Sequence, residues 1–379
     1  MRIAILINEL NIRGGTHKQV HRLADYLLEQ GHDVKVITKY YDPNKCYPGI
    51  EKFTVYSFDR YFDENKGFIS KKINALIGSI KMASTALLNT DCINIHDTGL
   101  NLANLLIKLR KPTMPVVWQI NDLPSVFTNL KPGNDSFLNG LRKAYNRYIA
   151  KKNDVITVNV TKNAERVKLS LGIHARVLYC GVDLRNTKIK KNIIDQKNIV
   201  LLSTGVFFPY RNYETFLKVQ SILQAKGYAV TSSIIGSTDL DPAYADKIRD
   251  LSNQLNLACD ILGDIPEKQL INLYNKANFF LFLNIDQSWG LSVFEAMNLC
   301  IPAIVSKSVG ATELLDDNFN AIIEEPTDAT AIADRILSLI QNEAVKDKLI
   351  ENAFESTLQM TWAKMYCARV EAIFSELIK

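Results

Sequence analysis

Residues 278–313, NFFLFLNIDQSWGLSVFEAMNLCIPAIVSKSVGATE, contain the pattern that decides the fold of this chain. Residues 279–283 and 301–305 are short and nearly all apolar, which is typical of strands covered on both faces of a parallel sheet. Residues 291–299, between them, carry apolar side chains at helical spacing. The stretch therefore predicts a strand, a loop, a helix and a second strand within a doubly wound α/β sheet.

The start of this predicted helix has the features of an anion-binding site. Gly290 allows a ligand to approach the backbone closely, and the N–H groups of Leu291 and Ser292 at a helix N-terminus favour a diphosphate. Glu295 lies one turn later on the same face. Its neighbours are apolar, so the carboxylate needs a partner, and a ribose diol offers two donors. An ordinary solvated or helix-capping glutamate is the other interpretation.

These residues resemble the donor-binding motif of the retaining glycosyltransferases of the GT-B fold, in the group 1 or family 4 type that includes many bacterial sugar transferases. That motif has two glutamates separated by seven residues. Glu295 matches the second of them, whereas Gln287 stands at the first, where an amide can bond to sugar hydroxyls but carries no charge. The resemblance covers nearly the whole chain and implies two Rossmann-like domains that face a cleft containing the active site.

Length and composition fit two globular domains. The chain has 379 residues, of which 47% are hydrophobic and 22% are charged, and no apolar run approaches the roughly 18 residues of a membrane span. Residues 1–10 lack a small-residue cleavage site, so they predict a first strand and not a signal peptide. The six cysteines are scattered without paired or metal-type spacing, which favours a cytoplasmic protein and no metal site.

Charge is unevenly distributed along the chain. Residues 1–200 hold 31 Lys and Arg against 17 Asp and Glu, whereas the remainder holds 14 against 23. The basic half is expected to face an anionic partner, but no recognition helix or aromatic–basic module indicates nucleic acid. A predicted helix at residues 141–152 is strongly basic, through Arg142, Lys143, Arg147, Lys151 and Lys152. It is either a solvated face or a surface for an acceptor or for the inner face of the cell membrane.

The N-terminal residues predict a βαβ unit. Residues 2–7 and 33–38 are strands, residues 17–30 form an amphipathic helix, and the loop between contains Gly14 and Gly15. The GxGxxG pattern of dinucleotide dehydrogenases is absent, which argues against a nicotinamide enzyme. The glycine pair is either a bare turn or a place where the loop approaches a sugar diphosphate. Similar transferases carry such a pair here.

Two further predicted strands end at polar pairs, His96-Asp97 and Asn121-Asp122. Ligands of open α/β sheets bind at the carboxyl ends of strands, so both pairs are well placed. The resembling family often has His before the acidic residue at the second position, where this chain has Asn121. A contact to the donor sugar is then either lost or supplied by His96, whose other interpretation is a strand-end His bonded to backbone. Residues 122–135 are loop-like and are expected to line the acceptor cleft.

The resemblance also divides the chain. It implies an N-terminal acceptor domain, 1–183, a linker, 184–197, and a donor domain, 198–358, with the last helix within 359–379 packed back on the first domain and anchored by Trp362. In the donor domain, related enzymes hold the diphosphate with an Arg directly after a Gly and with a second basic residue. Val206 stands at the first place, after Gly205, and Arg211 at the second, where it binds phosphate or pairs with Glu214.

The sequence therefore predicts an α/β protein of the GT-B fold, a retaining, metal-independent hexosyltransferase of cell-surface polysaccharide or glycolipid synthesis. It would use a UDP- or GDP-sugar as co-substrate, a glycan or lipid-linked acceptor, and no cofactor. The predicted catalytic residues are His96, Asn121, Asp122 and Gln287, and the predicted donor-binding residues are Gly14, Gly15, Gly205, Arg211, Gly290, Leu291, Ser292 and Glu295. A GT-B nucleotide-sugar epimerase and a catalytically silent nucleotide-sugar-binding relative are the two alternatives.

Overall fold

The computed structural model describes residues 1–62, 67–96, 98–121, 137–186, 188–189, 198–286 and 289–379, without the side chains of 137–139. The chain forms two compact units. The first comprises Met1–Gly181 with Trp362–Lys379, and the second comprises Val182–Thr361.

The first unit contains a seven-stranded parallel sheet in the order β3-β2-β1-β4-β5-β6-β7. Its strands are β1 (Arg2–Leu10), β2 (Asp33–Tyr41), β3 (Thr54–Ser57), β4 (Cys92–His96), β5 (Val116–Ile120), β6 (Val155–Val158) and β7 (Arg176–Val177). Its helices up to residue 181 are α1 (Gly15–Glu29), α2 (Phe68–Leu87), α3 (Asn101–Arg110), α4 (Phe137–Ala150) and α5 (Thr161–Leu171).

Strand order decides which face each helix covers. The chain moves one way along the sheet from β1 to β3 and the other way from β4 to β7, so right-handed crossovers place α1 on the face opposite to α3. One core cluster joins Ala4 and Leu6 of β1 to Met82 of α2, Ile107 of α3 and Ile149 of α4. Helices α2 to α5 therefore form one layer on one face of the sheet.

The second unit contains a six-stranded parallel sheet in the order β10-β9-β8-β11-β12-β13. Its strands are β8 (Asn198–Thr204), β9 (Ala229–Ile235), β10 (Ala258–Leu262), β11 (Phe279–Phe282), β12 (Ala303–Ser306) and β13 (Ile322–Glu324). Its helices are α6 (Tyr213–Ala225), α7 (Pro242–Gln254), α8 (Glu267–Lys276), α9 (Leu291–Asn298), α10 (Ala329–Gln341) and α11 (Glu343–Leu358). The expected strand–loop–helix–strand stretch is present as β11, α9 and β12, and β11 and β12 are buried throughout.

The last helix of the chain belongs to the first unit. A π-helical turn at Ala363–Cys367 leads into α12 (Ala368–Ile378). Glu371 of α12 accepts hydrogen bonds from the Tyr26 hydroxyl of α1 (2.9 Å) and lies 2.8 Å from the His32 Nε2. The pKa of Tyr26 is raised to about 12, mainly by burial and secondly by the hydrogen bond to Glu371. These contacts of Glu371 with Tyr26 and His32, which are distant in sequence, hold α12 against α1.

Two bulk features of the chain are visible in the structure. All six cysteines are free thiols, and five of them are buried. Among the helices that the structure describes, none combines the length and the apolar character that a membrane crossing requires.

The packing of α12 predicts a contrast between two of its side chains. Phe374 is fully buried, whereas Ile378 is 42% exposed. Phe374→Ala should lower the free energy of unfolding by roughly 3–5 kcal/mol, because it leaves a cavity that the surrounding core fills only in part. Ile378→Ala should change it by less than about 0.5 kcal/mol. Urea denaturation measures both, and equal effects would show that α12 is not part of the first unit's core.

Candidate functional site

The carboxyl ends of the strands form one edge of the second unit's sheet, and Gly205 begins the loop after β8. A Cβ on Gly236, which follows β9, would lie 2.1 Å from the carbonyl oxygen of Gly205. Both glycines also have positive φ, 151° and 153°, a conformation that residues with side chains rarely adopt. Glycine is therefore required at both positions, and it brings bare backbone to the edge where ligands of such sheets bind.

Arg211 ends a short 3-10 helix, Pro209–Arg211, in the same loop. Its guanidinium lies against Gly205, since a Cβ on that glycine would be 2.4 Å from the Arg211 Cζ. The guanidinium also lies over the ring of Tyr210, 5.2 Å from its centroid. The predicted phosphate-binding side chain is thus held at the carboxyl edge of the sheet.

Glu214 is the residue that would pair with Arg211 in the alternative interpretation. Its carboxylate accepts hydrogen bonds from the Tyr244 hydroxyl (2.8 Å) and from the Lys247 ammonium (2.8 Å). Burial alone would raise the pKa of Glu214, but these two bonds, a backbone hydrogen bond and the charge of Lys247 together lower it. Glu214 is therefore engaged by α7 and not by Arg211.

Hydrogen bonds fix the loop that carries Arg211 to its neighbours. Asn212 adopts a left-handed conformation, with φ of 55°. Its amide donates to the carbonyl of Leu283 (3.1 Å), after β11, and to that of Pro326 (2.6 Å). The Ile285 N–H donates to the carbonyl of Tyr210 (2.7 Å). The loops after β8 and β11 therefore form one connected frame.

Helix α9 begins at this frame. Gly290 is its N-cap, and a Cβ there would lie 3.0 Å from the ring of Phe282, so glycine lets the helix start approach the end of β11. The Val293 N–H donates to the carbonyl of Gly290 (3.0 Å). The N–H groups of Leu291 and Ser292 come before that of Val293 in the first turn of the helix. This turn contains no acidic residue. The helix N-terminus thus has the polarity that favours an anion.

Glu295 lies on the less buried face of α9. Leu291, Ser292 and Glu295 are partly buried, while the neighbouring positions are fully buried, as the helical spacing predicts. Burial, followed by the negative charge of Glu295, raises the pKa of Tyr274. The Tyr274 hydroxyl lies 3.3 Å from the hydroxyl of Thr204, the last residue of β8. Glu295 therefore acts electrostatically on a side chain that contacts the strand leading to Gly205.

The corresponding edge of the first unit contains Gly14 and Gly15. Gly14 is the N-cap of α1 and Gly15 is its first residue. A Cβ on Gly14 would lie 3.0 Å from the Nδ1 of His17, so the glycine leaves room for this buried imidazole. Burial lowers the pKa of His17 to about 4.

His96 ends β4 and is fully buried. Its Nε2 lies 2.7 Å from the Oδ1 of Asn94, whose amide donates to the carbonyl of Val117 (3.2 Å). Burial, followed by the positive charge of His17, lowers the pKa of His96 to about 3. His96 is thus bonded within the sheet through a side chain and not through backbone. A ligand contact by His96 stays a prediction, and it would require this imidazole to become accessible.

Asn121 belongs to a buried series of side-chain hydrogen bonds. The Thr157 hydroxyl donates to the Gln119 amide oxygen (2.6 Å), and the Gln119 amide nitrogen donates to the Asn121 amide oxygen (2.9 Å). The Asn121 amide nitrogen donates to the Gln19 amide oxygen (2.8 Å). The Gln19 amide nitrogen donates to the Cys180 sulfur (3.6 Å). Each donor meets an acceptor, so the buried amides are compensated. In the described conformation Asn121 joins β5 to α1, which is a positioning arrangement.

Three predicted positions lie outside the described residues. They are Asp97, Asp122 and Gln287. The loop expected at residues 122–135 also lies outside the described residues. The other predicted site residues form two groups. Gly205, Arg211, Gly290, Leu291, Ser292 and Glu295 lie at the edge of the second sheet, and Gly14, Gly15, His96 and Asn121 lie at the edge of the first.

The structure adds residues that sequence patterns did not single out. Tyr274, Thr204 and Gly236 belong to the second sheet's edge, and Gln19 and Gln119 support Asn121. Gly236 directly follows β9, and a glycine at the end of a strand is a signal that could have identified it. Within the described ranges, no group of three or more His, Cys, Asp or Glu side chains is arranged to hold a metal ion.

Two family models match the chain and together span most of it. The model described as Glycosyltransferase Family 4 matches residues 13–186, and the model described as Glycosyl transferases group 1 matches residues 185–356. The chain belongs to the group 1 glycosyltransferases of the GT-B fold. The two sheet edges described above thus lie one in each of the regions that this family's models define.

Characterised relatives of this group 1 glycosyltransferase chain are distant. The capsular polysaccharide biosynthesis glycosyltransferase CapM of Staphylococcus aureus is 24% identical over 237 residues, or 60% of this chain. This chain spans about three fifths of CapM's length, since the match covers 60% of that protein. The N-acetyl-alpha-D-glucosaminyl L-malate synthase of Bacillus anthracis is 22% identical over 97% of this chain and 95% of that protein.

Solved structures share the fold over the whole length. Anabaena HepE in complex with UDP and glucose matches with a TM-score of 0.80 at 16% identity, covering 99% of both chains. The sucrose-phosphate synthase of Thermosynechococcus elongatus matches with a TM-score of 0.78 at 17% identity, covering 100% of this chain and 99% of that one. At these identities the likeness concerns the fold alone.

The close approach of two backbones at the second sheet's edge predicts a strong glycine requirement. Gly236→Ala should lower the free energy of unfolding by roughly 3 kcal/mol or more, because the new Cβ combines positive-φ strain with a backbone clash. Gly263→Ala is the matched control, since no atom lies within 4 Å of its added Cβ, and it should change stability by less than about 1 kcal/mol. Similar losses in the two variants, measured by urea denaturation, would contradict this account.

The buried imidazoles predict acid sensitivity of the first unit. His17 and His96 have folded pKa values of about 4 and about 3, below the ordinary value of about 6.5. Below pH 6.5 the unfolded chain therefore binds protons that the folded chain excludes, so stability is fully present above about pH 6.5 and falls as pH drops toward 4. The measurement is urea denaturation between pH 7 and pH 5.

A pair of variants tests the origin of this slope. His96→Gln should reduce the dependence of stability on pH, whatever its effect on stability at neutral pH. His174→Gln should leave the slope unchanged, because His174 is exposed. A slope that is the same in both variants would show that His96 is not the group responsible.

Proposed function

We propose that this protein is a retaining glycosyltransferase. It transfers a hexose from a nucleoside diphosphate sugar, a UDP- or GDP-sugar, to an acceptor hydroxyl in the synthesis of a cell-surface polysaccharide or glycolipid. The relatives' names support this acceptor class, since CapM is a capsular polysaccharide enzyme. Neighbouring structures of HepE with UDP and with UDP-glucose support a UDP-sugar as the first donor to test.

The observation that carries the proposal is the arrangement at the edge of the second sheet. Arg211 and the N-terminus of α9 supply positive and donor groups there. Glu295 supplies a carboxylate on the less buried face of α9. These groups complement a nucleoside diphosphate, because the first two suit the diphosphate and a carboxylate suits the ribose diol.

The reaction breaks the bond between the anomeric carbon and the β-phosphate oxygen and forms a bond between that carbon and the acceptor oxygen. For retention, the acceptor attacks the face that the diphosphate leaves. The proton of the acceptor hydroxyl passes to an oxygen of the leaving phosphate, so no side chain acts as a nucleophile. This course follows from the family resemblance.

Several of the predicted residues have a defined role in this proposal. Arg211 and the amides of Leu291 and Ser292 stabilise the charge that develops on the leaving diphosphate, a preorganised electrostatic effect. We propose that these groups do so without a metal ion. Gln287 is assigned to the donor sugar by resemblance, and Asp122 is a proposed catalytic residue at the start of the loop expected to line the acceptor cleft.

Two alternatives make different predictions for the isolated protein. A nucleotide-sugar epimerase would convert the donor into an epimer without any acceptor. A catalytically silent relative would bind the nucleotide sugar and neither hydrolyse nor transfer it. Slow donor hydrolysis without acceptor therefore favours a transferase over the silent relative, and an accumulating epimer favours the epimerase.

Calorimetry with a panel of nucleoside diphosphates tests the proposed donor site through Glu295. The wild type should bind the diphosphate of one base, and Glu295→Ala should weaken that binding by roughly 2–4 kcal/mol, because a charge-assisted pair is lost. Glu351→Ala is the control, since Glu351 is only partly buried on α11 and pairs with Lys348 (2.7 Å). A wild type that binds no nucleotide would refute the proposed function, and an unchanged affinity in the folded variant would remove Glu295 from the site.

A further inference from the structure

Helix α2 has fully buried residues in only one half of its length, although Ala75 in the other half is partly buried against the core. Its buried residues, Gly78, Ser79, Met82, Ala83 and Ala86, all lie in the second half. None of the first ten residues is buried, and large apolar side chains among them are exposed: Phe68 (73%), Ile69 (73%), Ile73 (54%), Leu76 (44%) and Ile77 (37%). The first half of α2 therefore presents apolar surface to solvent.

The exposed side chains form a stripe that is distinct from the packed face. We call Ile69, Ile73, Leu76, Ile77 and Ile80 the outer stripe. At 3.6 residues per turn, these five positions lie within an arc of about 100°. The centre of the packed face lies about 130° away from the centre of this arc by the same geometry. Helix α2 thus has apolar residues on two sides, and among the described residues only one of these sides is buried.

Charge surrounds the outer stripe. Helix α2 contains Lys71, Lys72 and Lys81 and no acidic residue. Lys72 and Lys81 lie on opposite margins of the stripe, about 40° beyond its ends. The Lys72 Nζ lies over the ring of Phe68 at 4.5 Å, and the Lys81 Nζ lies over that of Tyr61 at 5.6 Å. Lysines with apolar stems beside an apolar stripe are typical of helices that lie at a membrane surface.

The exposed half of α2 projects at the ligand edge of the first sheet. Its other end is fixed at the opposite edge, where Lys35, near the start of β2, donates to the carbonyls of Thr85 (2.7 Å) and Leu88 (2.5 Å). The start of α2 follows β3 through a short 3-10 helix at Asp59–Tyr61. The outer stripe therefore begins near the sheet edge that carries Gly14.

We propose that the outer stripe of α2 docks the first unit on an anionic membrane surface, with the apolar side chains in the acyl boundary and Lys72 and Lys81 among the headgroups. The inference deepens the proposed function and rests on it, because it makes the acceptor a lipid-linked one presented at that surface. A second copy of the chain fits this stripe less well. A symmetric pairing of two α2 helices would bring lysines together with no acidic residue to oppose them.

Helix α4 carries a second exposed face of apolar and basic side chains. It lies in the layer that contains α2, and its exposed residues combine apolar and basic side chains. Leu141 and Tyr148 are 52% and 50% exposed, and the Lys152 Nζ lies over the Tyr148 ring at 4.7 Å. The basic helix that the sequence identified therefore supplies charge to the docking surface, while the outer stripe supplies the apolar contact.

Co-sedimentation of the full chain with vesicles tests the proposal. Vesicles of phosphatidylglycerol and phosphatidylcholine in equal parts are compared with vesicles of phosphatidylcholine alone. The wild type should sediment with the anionic vesicles only. The variant Ile69→Ser, Ile73→Ser, Leu76→Ser should lose roughly tenfold or more of this binding, since it removes apolar contact and keeps every charge. Wild type that ignores anionic vesicles at low salt would overturn the proposal.

A matched variant controls for exposed apolar residues in general. Leu169→Ser, Leu240→Ser, Val345→Ser changes three residues that are 65%, 55% and 48% exposed elsewhere on the chain, and it should sediment like the wild type. Equal binding of the two triple variants would overturn the role of the stripe. A wild-type dimer that the α2 variant converts to monomer, without vesicle binding, would assign the stripe to a second copy instead.

Nucleotide binding separates this inference from the proposed function. The α2 variant should keep the wild-type affinity for the nucleoside diphosphate in calorimetry, because the donor groups lie in the other unit. Wild type that binds nucleotide and no vesicle refutes the membrane inference alone. Wild type that binds vesicles and no nucleotide refutes the proposed function, and with it the lipid-linked acceptor.

Discussion

Every strand pair in both sheets is parallel, and a parallel pair requires a crossover of a dozen or more residues. Because each crossover returns the chain to the same side, the carboxyl ends of the strands collect at one edge of each sheet. The loops at that edge are the ones free to vary while the helices seal both faces. Arg211, Gly290 and Gly14 lie at these edges for this reason.

Ligands of parallel sheets generally bind at this edge. Close packing at the edge of the second sheet fixes one basic side chain, Arg211, in that place. The Gly236 backbone approaches that of Gly205 so closely that neither tolerates a side chain, and the Arg211 guanidinium occupies the space above Gly205. The loop that carries Arg211 is fixed by the Asn212 amide. A basic side chain held in place loses little conformational freedom when an anion binds, which is how a preorganised site gains affinity.

In the first unit, buried polar side chains near the predicted site are hydrogen-bonded to one another. Asn121 is one of the residues predicted to be catalytic, and in the described conformation its amide is engaged with Gln119 and Gln19. The Tyr366 hydroxyl, from the last turn of the chain before α12, also reaches Gln119, at 3.4 Å. Buried amides are costly unless they are paired, so this series fixes the geometry of β5, α1 and the returning end of the chain relative to one another. In the described conformation Asn121 connects β5 to α1, and its catalytic role stays a prediction.

The sequence by itself determined the unit of β11, α9 and β12, because burial on both faces leaves apolar runs and a helix leaves its period. It also placed Glu295 on the less buried face of α9. It did not predict α2, because apolar residues on two sides of one helix obscure the 3.6-residue spacing of apolar side chains. Only tertiary structure decided that Tyr274 meets Thr204 across 70 residues and that Asn121 meets Gln19 across 102. These contacts depend on the order in which strands pair, and no local pattern encodes that order.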